Sequence, residues 1–316
     1  MLDPLSFQWF LLYNLLLSAS GKEHFMKLGL IQIRVAEKLG DNLMQLEEGL
    51  KGCVEEHVDL VILPELWNTP FRNACIQEHY TDFQVLIPSL KLLAKRCHVW
   101  LVAGTLPVPD KASDQYTNCC LIINSEGEVV KAAAKLHLLE VNTSRHSYKE
   151  SEVFHAGDEP CLVKTPWGVM GVEICFDLRF PELSRILSQS SFLLAVPAGF
   201  NAAVGQKHWK PLIQSRAIEN EIFVAGVNPQ AADYGTYSSY GHSMVCSPDG
   251  EILLEMKPDQ LYATVEIDTH EVERIRKRSP FWKLRRTDLY SLPPLDKEAG
   301  KTRTSERTQH EENSIQ

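Results

Sequence analysis

The sequence predicts an α/β fold, and three patterns predict it. Short apolar runs rich in valine and isoleucine recur along the chain, segments with apolar residues at helical spacing lie between them, and the runs end at polar or glycine-containing turns. With 316 residues, 44% of them hydrophobic, the chain can bury a large core within one α/β unit.

Taken in order, Asn42 to Val54 carries Leu43, Leu46, Leu50 and Val54 on one helical face. Val58 to Leu63 reads as a strand buried on both faces; Pro64, which cannot donate to a ladder, closes it and leaves Glu65 at its end. Leu86 to Lys95 is a second amphipathic helix through Ile87, Leu90 and Ala94. Val99 to Gly104 and Asn118 to Asn124 read as strands, and Glu126-Gly127 marks a tight hairpin turn. Next comes the small, apolar run Val129 to Leu138, within which Lys135 must find a carboxylate or leave its charge unpaired. Val169 to Ile174 is a strand that delivers Cys175 at its carboxyl end. Phe176 to Phe180 form a turn, and Pro181, acceptable only in a first helical turn, starts a helix through Leu187. Phe192 to Val196, Ile222 to Val227, Ser243 to Cys246 and Tyr262 to Ile267 complete the strands, with a second hairpin turn at Asp249-Gly250.

Sites in α/β sheets cluster at strand ends, where Glu65 and Cys175 lie. A thiol so placed can have its pKa lowered by a nearby cation or by backbone N–H groups, and the thiolate is its reactive form. Alone, Cys175 reads rather as one more buried small hydrophobe, the usual state of a free cysteine.

Glu65, Lys135 and Cys175, arriving in that order after strands, resemble the carbon-nitrogen hydrolase, or nitrilase, superfamily. Leu63-Pro64-Glu65-Leu66-Trp67-Asn68-Thr69-Pro70-Phe71, Lys135-Leu136-His137-Leu138 and the segment Gly171 to Leu183 carry the resemblance. So do Val196-Pro197-Ala198-Gly199-Phe200-Asn201, His208-Trp209, Arg216-Ala217-Ile218-Glu219-Asn220, Tyr240 to Met244 and Arg285 to Tyr290. It covers about Met26 to about Tyr290 and makes Lys27 to Ile33 the first strand. It implies a four-layer αββα sandwich, with two sheets face to face and helices outside. It also implies a homodimer, in which the helices after the cysteine and in the Arg216 segment meet.

For the site, the resemblance implies that Glu65 is a general base, taking the thiol proton and later activating water. Lys135 stabilises thiolate and oxyanion, with the backbone N–H of Phe176 as second donor. Cys175 attacks the amide carbon, ammonia leaves, and water cleaves the thioester. Glu150, in Ser147-Tyr148-Lys149-Glu150-Ser151, matches a further glutamate that orients the lysine and the leaving nitrogen; by spacing alone it is an exposed loop carboxylate.

Phe176-Asp177 after the cysteine, where nitrilases usually carry Trp-Glu, is similar to the branch of omega-amidases and deaminated glutathione amidases. There the arginine equivalent to Arg179 pairs with a substrate carboxylate, as a planar guanidinium can through two parallel hydrogen bonds. The structural alternative for Arg179 is an ion pair with Asp177 or Glu182. Phe176, Arg179, Phe200 and Asn201 are the expected substrate-binding residues. Two departures stand out: Val204 occupies the place of a substrate-binding hydroxyl, and Ala133 and Ala134 precede Lys135 where an aromatic and an arginine are usual. The expected substrate is therefore a small carboxylate-bearing amide such as 2-oxoglutaramate. The alternatives are deaminated glutathione, carbamoyl amino acids or nitriles, and beyond hydrolysis an acyltransferase or a non-catalytic scaffold.

A net charge of −9 lacks the basic face that nucleic acid requires. The eight cysteines form no CxxC pair and have no zinc-like histidine spacing, so no metal or other cofactor is expected, and they read as reduced thiols of a cytoplasmic protein. Phe7 to Leu17 is apolar but too short to span a bilayer, and no membrane partner is expected. Ser18-Ala19-Ser20 resembles a signal cleavage site, but Asp3 and the lack of Lys or Arg before it argue against a secretory signal. The expected organisation is an extension over 1–25, a catalytic domain over 26–293, and a disordered polar tail over 294–316.

Overall fold

The computed structural model describes residues 24–110, 115–142, 147–235 and 237–290; the expected extension and tail fall almost wholly outside these. In the first unit, Met1–Arg285, β1 (Phe25–Ile31), α1 (Leu39–Glu55) and β2 (Leu60–Ile62) lead through α2 (Asn73–Glu78) and α3 (Phe83–Cys97). β3 (Trp100–Pro109), β4 (Tyr116–Ile123) and β5 (Val129–Ala134) follow, then a small hairpin of β6 (Glu140–Asn142) and β7 (Ser147–Lys149). β8 (Cys161–Thr165), β9 (Gly168–Val172), α4 (Pro181–Leu187), β10 (Leu193–Pro197), α5 (Ala202–Asn220) and β11 (Phe223–Val227) come next. The unit closes with β12 (Met244–Cys246), β13 (Ile252–Glu255), β14 (Tyr262–Asp268), α6 (Glu271–Arg278) and α7 (Phe281–Leu284). The second unit, Arg286–Gln316, is described over Arg286 to Tyr290, a turn in which Arg286 donates to both oxygens of Asp288 at 2.8 and 2.6 Å.

Two six-stranded sheets run β14-β1-β2-β3-β4-β5 and β13-β12-β11-β10-β9-β8. Each has a parallel centre, β1-β2-β3 in one and β9-β10-β11 in the other, flanked by antiparallel strands. Side-chain alternation splits the first sheet between two cores. Leu28, Leu60, Ile62 and Val102 join Met170, Val172, Leu194 and Val196 of the second sheet in one core. Val61, Leu101 and Ala103 face the other way and pack with Leu46 and Leu50 of α1 and with Leu86 and Leu90 of α3. A strand buried on both faces must be apolar at every position, which is why Leu60 to Leu63 shows no alternation in sequence.

Polar ties also join the sheets. Gln32 Oε1 accepts from Ser243 N at 2.8 Å and from Ser243 Oγ at 2.7 Å, while Glu65 N donates to Ala198 O at 3.2 Å.

Most expected elements appear with shifted ends. β1 starts at Phe25, inside the expected extension, because Phe25 pairs with Asp268 and the His24 carbonyl accepts from Thr269 N. β9 stops at Val172, two residues before the expected end. β8, β13, α2 and α6 were not legible: Cys161–Thr165 and Ile252–Glu255 are short, and Glu271–Arg278 is mostly charged, with Val272 and Ile275 its only buried residues.

Candidate active site

The parallel strands of the two sheets end side by side, and their ends supply the candidate residues. Beyond β2, Pro64 stops the ladder, Glu65 turns inward, and Leu66 takes a φ of 44° with its N–H held by Thr105 Oγ1 at 2.9 Å. The tight turn requires Gly104, φ +62°, since a Cβ there would lie 2.1 Å from the Pro64 carbonyl. Past β9, Cys175 is the first residue of a 3₁₀ turn, Cys175–Arg179. Its φ of 47° is a left-handed conformation that costs a non-glycine residue about 1–2 kcal/mol.

Two side chains hold that turn. Asp177 accepts from Ile174 N at 3.1 Å and from His137 N at 2.8 Å, and its Oδ1 contacts His137 Nδ1 at 2.8 Å, tying the Cys175 turn to the segment after Lys135. Arg216 of α5 donates from Nε and Nη2 to the Leu178 carbonyl at 3.0 and 2.8 Å.

Lys135 follows the last residue of β5 and is 1% exposed, as is Glu65; Glu150 is wholly buried. Lys135 Nζ lies 2.7 Å from Glu65 Oε1 and 3.0 and 2.8 Å from the two oxygens of Glu150. Asn118 of β4 bridges the carboxylates, its Nδ2 donating to Glu65 Oε1 at 2.8 Å and to Glu150 Oε1 at 3.0 Å. Glu150 Oε2 also accepts from Leu139 N at 2.8 Å. Glu150 is therefore no exposed loop carboxylate, and both its oxygens are fully engaged. Glu65 Oε2, by contrast, meets no donor at full hydrogen-bond geometry among the described residues.

Burial raises the pKa of Glu65; Lys135 and the adjacent Cys175 thiol lower it in part, and Glu150 raises it further. Burial alone would depress Lys135, but Glu150, Glu65 and Cys175 more than offset it and hold the ammonium charged well above its usual range. The Cys175 thiol goes well up, through burial first and the Glu65 charge second, against the lowering effect of Lys135 and a backbone hydrogen bond at Gly199. This corrects the expectation of an acidified thiol: the cation is present, but desolvation and the carboxylate prevail, and Cys175 rests protonated.

Arg179 meets neither Asp177 nor Glu182, and among the described residues no carboxylate lies within ion-pairing distance of it. Its guanidinium carbon sits 5.8 Å from the Phe176 ring centre and 5.5 Å from that of Phe200, and Nη1 lies 3.3 Å from His208 Nδ1. Phe200 is buried against Trp209, ring centres 4.8 Å apart. Asn201 caps α5, its side chain accepting from Ala203 N at 3.0 Å. Val204 is half-buried and packs against the main core.

A cleft of about 250 Å³, counting its open mouth, reaches Glu65 between Leu66, Phe71, Gly199, Tyr234 and Tyr237. Gly199 keeps it open, since a Cβ there would stand 3.3 Å from Glu65 Oε2. Tyr237 donates from its hydroxyl to the Gly199 carbonyl at 2.9 Å.

Sequence reasoning missed Asn118, Asp177 as a clamp, and Tyr237. Asn118 had a usable signal: a polar side chain in a strand otherwise headed for the core must be satisfied there. Among the described residues, no group of three or more His, Cys, Asp or Glu side chains is placed to hold a metal ion, and no helix is long and apolar enough to cross a membrane.

The family model described as carbon-nitrogen hydrolase matches residues 27–277. Among curated proteins, nitrilase homolog 2 of Dictyostelium discoideum is 31% identical over 88% of this chain and 85% of its own. Omega-amidase NIT2 of Xenopus tropicalis is 30% identical over 84% and 97%. Among solved structures, the NitFhit protein of C. elegans superposes with a TM-score of 0.79 at 29% identity, over 85% of this chain and 67% of that one.

Proposed function

Because the chain belongs to the carbon-nitrogen hydrolase family, and is a hydrolase of carbon-nitrogen bonds other than peptide bonds, we propose that it is an omega-amidase-like enzyme. It converts the terminal amide of a small carboxylate-bearing acid, 2-oxoglutaramate being the leading candidate, to the acid and ammonia through a Cys175 acyl-enzyme. The observation that carries this reading is the wholly buried ammonium of Lys135, gripped by Glu65 and Glu150 beside the Cys175 thiol.

Glu65 takes the thiol proton as Sγ attacks the amide carbon, so that no thiolate need exist beforehand. The new oxyanion is met by Lys135 and by the backbone N–H of Phe176. Lys135 has three N–H bonds for three carboxylate oxygens. With one N–H shared across the two oxygens of Glu150, another is left for the oxyanion. Collapse of the tetrahedral species returns the proton from Glu65 to nitrogen and releases ammonia. Glu65 then deprotonates water, which opens the thioester.

The choice of a carboxylate-bearing substrate rests on Arg179, a guanidinium held between two rings with no acidic partner. Phe176 and Phe200 lie beside it, and Asn201 anchors the helix that carries His208. We further propose a four-layer αββα arrangement, a homodimer formed through α4 and α5, where Ile218 is 45% exposed, and residence in the cytoplasm, in keeping with eight free cysteines.

An ammonia-release screen over 2-oxoglutaramate, deaminated glutathione, carbamoyl amino acids and simple nitriles tests the reading. The highest kcat/KM is expected on 2-oxoglutaramate; equal turnover of uncharged amides, or turnover of nitriles alone, would overturn it.

A further inference from the structure

The amide nitrogen needs a partner that the residues already discussed do not supply. A primary amide carries two N–H donors, and both persist on the nitrogen of the tetrahedral species. Glu150, the carboxylate to which the family resemblance assigned this nitrogen, has no capacity left: Oε1 accepts from Lys135 and Asn118, and Oε2 from Lys135 and Leu139. Recruiting it would strip hydrogen bonds from a buried ion pair. Glu65 Oε2 can take one N–H of the bound amide only until it receives the thiol proton.

The other acceptor is the phenol of Tyr148. Tyr148 is the middle residue of β7, two positions before Glu150, and strand alternation turns it to the side on which Glu150 is buried, while Ser147 and Lys149 face solvent. Its ring lies 5.7 Å from that of Phe71, which lines the cleft at Glu65 and stands 5.7 Å from Tyr237. Its hydroxyl is buried and has no hydrogen-bond partner among the described residues. A buried phenol without a partner loses hydrogen bonding that water would provide, at a cost of about 1–3 kcal/mol. Burial first, and then Glu150, Glu65 and Cys175, raise the pKa of this phenol well above its usual range against the lowering effect of Lys135, so it stays protonated.

We propose that Tyr148 is a substrate-contacting residue whose oxygen accepts an N–H of the scissile amide and of the departing ammonia. This rests on the amidase reading above. No proton leaves Tyr148: the nitrogen takes its third hydrogen from Glu65, and the phenol only orients the lone pair toward that donor.

The test compares Tyr148→Phe with the parent on a primary amide and on the methyl ester of the same acid, whose leaving oxygen has no N–H to offer. Loss of one such contact is worth about tenfold or more in kcat/KM. The expected result is that fall on the amide, with the ester changed less than about threefold and the melting temperature preserved. Equal losses on amide and ester would make Tyr148 a packing residue, and no loss on either would remove it from the site; both overturn the proposal. If the parent itself releases no ammonia from any amide, it is the amidase reading that fails.

Discussion

Lys135 Nζ sits 3.0 and 2.8 Å from the two oxygens of Glu150, across a gap of fifteen residues that holds the β6–β7 hairpin. A lysine with no access to water is thereby locked as a cation by two carboxylates, one of which still has an oxygen to offer to chemistry.

Removing that cation should damage the fold as well as the activity. Lys135→Met leaves Glu65 and Glu150 facing each other without charge compensation, a type of loss that costs about 3–5 kcal/mol. Denaturant titration should show the fall, and neutralising the partner in Lys135→Met/Glu150→Gln should recover part of it. Unchanged stability in the single variant would contradict the buried triad.

Cys175→Ala is expected to abolish turnover while leaving the melting temperature within a few degrees. Glu65→Gln should lower kcat by about 10²–10⁴-fold, the usual contribution of a general base. Intact-mass analysis during turnover should find an acyl adduct on Cys175 in the parent, and none in the alanine variant.

The parent's kcat/KM should fall on the acid side as Glu65 takes up a proton, at a pH above the ordinary glutamate range because its pKa is raised. A pH profile whose acid limb lies at or below 4.5 would contradict that assignment.

Arg179→Ala should raise KM for carboxylate-bearing amides by about ten- to a hundredfold, the range for a lost charge-assisted hydrogen-bond pair. Uncharged amides of similar length should be used as well as before. Equal loss on both classes would show that Arg179 supports the turn rather than the substrate.

Glu173, two residues before Cys175, is fully buried, and burial pushes its carboxyl up to about 8, offset only in part by Ser184 and Arg216. Its folded pKa exceeds the unfolded value of 4.5, so the native state holds a proton that the unfolded chain releases. Stability from this group is therefore present below about pH 4.5 and lost as pH rises to about 8, at roughly 1.4 kcal/mol per pH unit. Glu173→Gln should flatten that slope in denaturant titrations across the window. A slope identical to the parent's would contradict it.

How far the sequence could be read follows from the kind of residue concerned. Glu65 and Cys175 were legible because each ends an apolar run, and Lys135 because an ammonium in small apolar company needs an explanation. Asn118, a polar residue in a core-bound strand, signalled a need for partners, but only the fold reveals that these are two carboxylates. The direction of the Cys175 shift was misread for a related reason. A cation nearby can be guessed from spacing, but the completeness of burial, which outweighs it, depends on both sheets being in place. Glu150 shows the opposite case: spacing made it an exposed carboxylate, and family likeness rather than local pattern moved it inside.

Glu65, Asn118 and Lys135 hang from one sheet, and Cys175 from the other. Turnover is thus a gauge of how accurately two separately hydrogen-bonded slabs are seated on each other. Slippage of the interleaved aliphatic layer at Val172, Val102 or Leu194, too slight to register as unfolding, would part the Cys175 sulfur from the Glu65 carboxylate and, on the mechanism proposed above, silence the enzyme first.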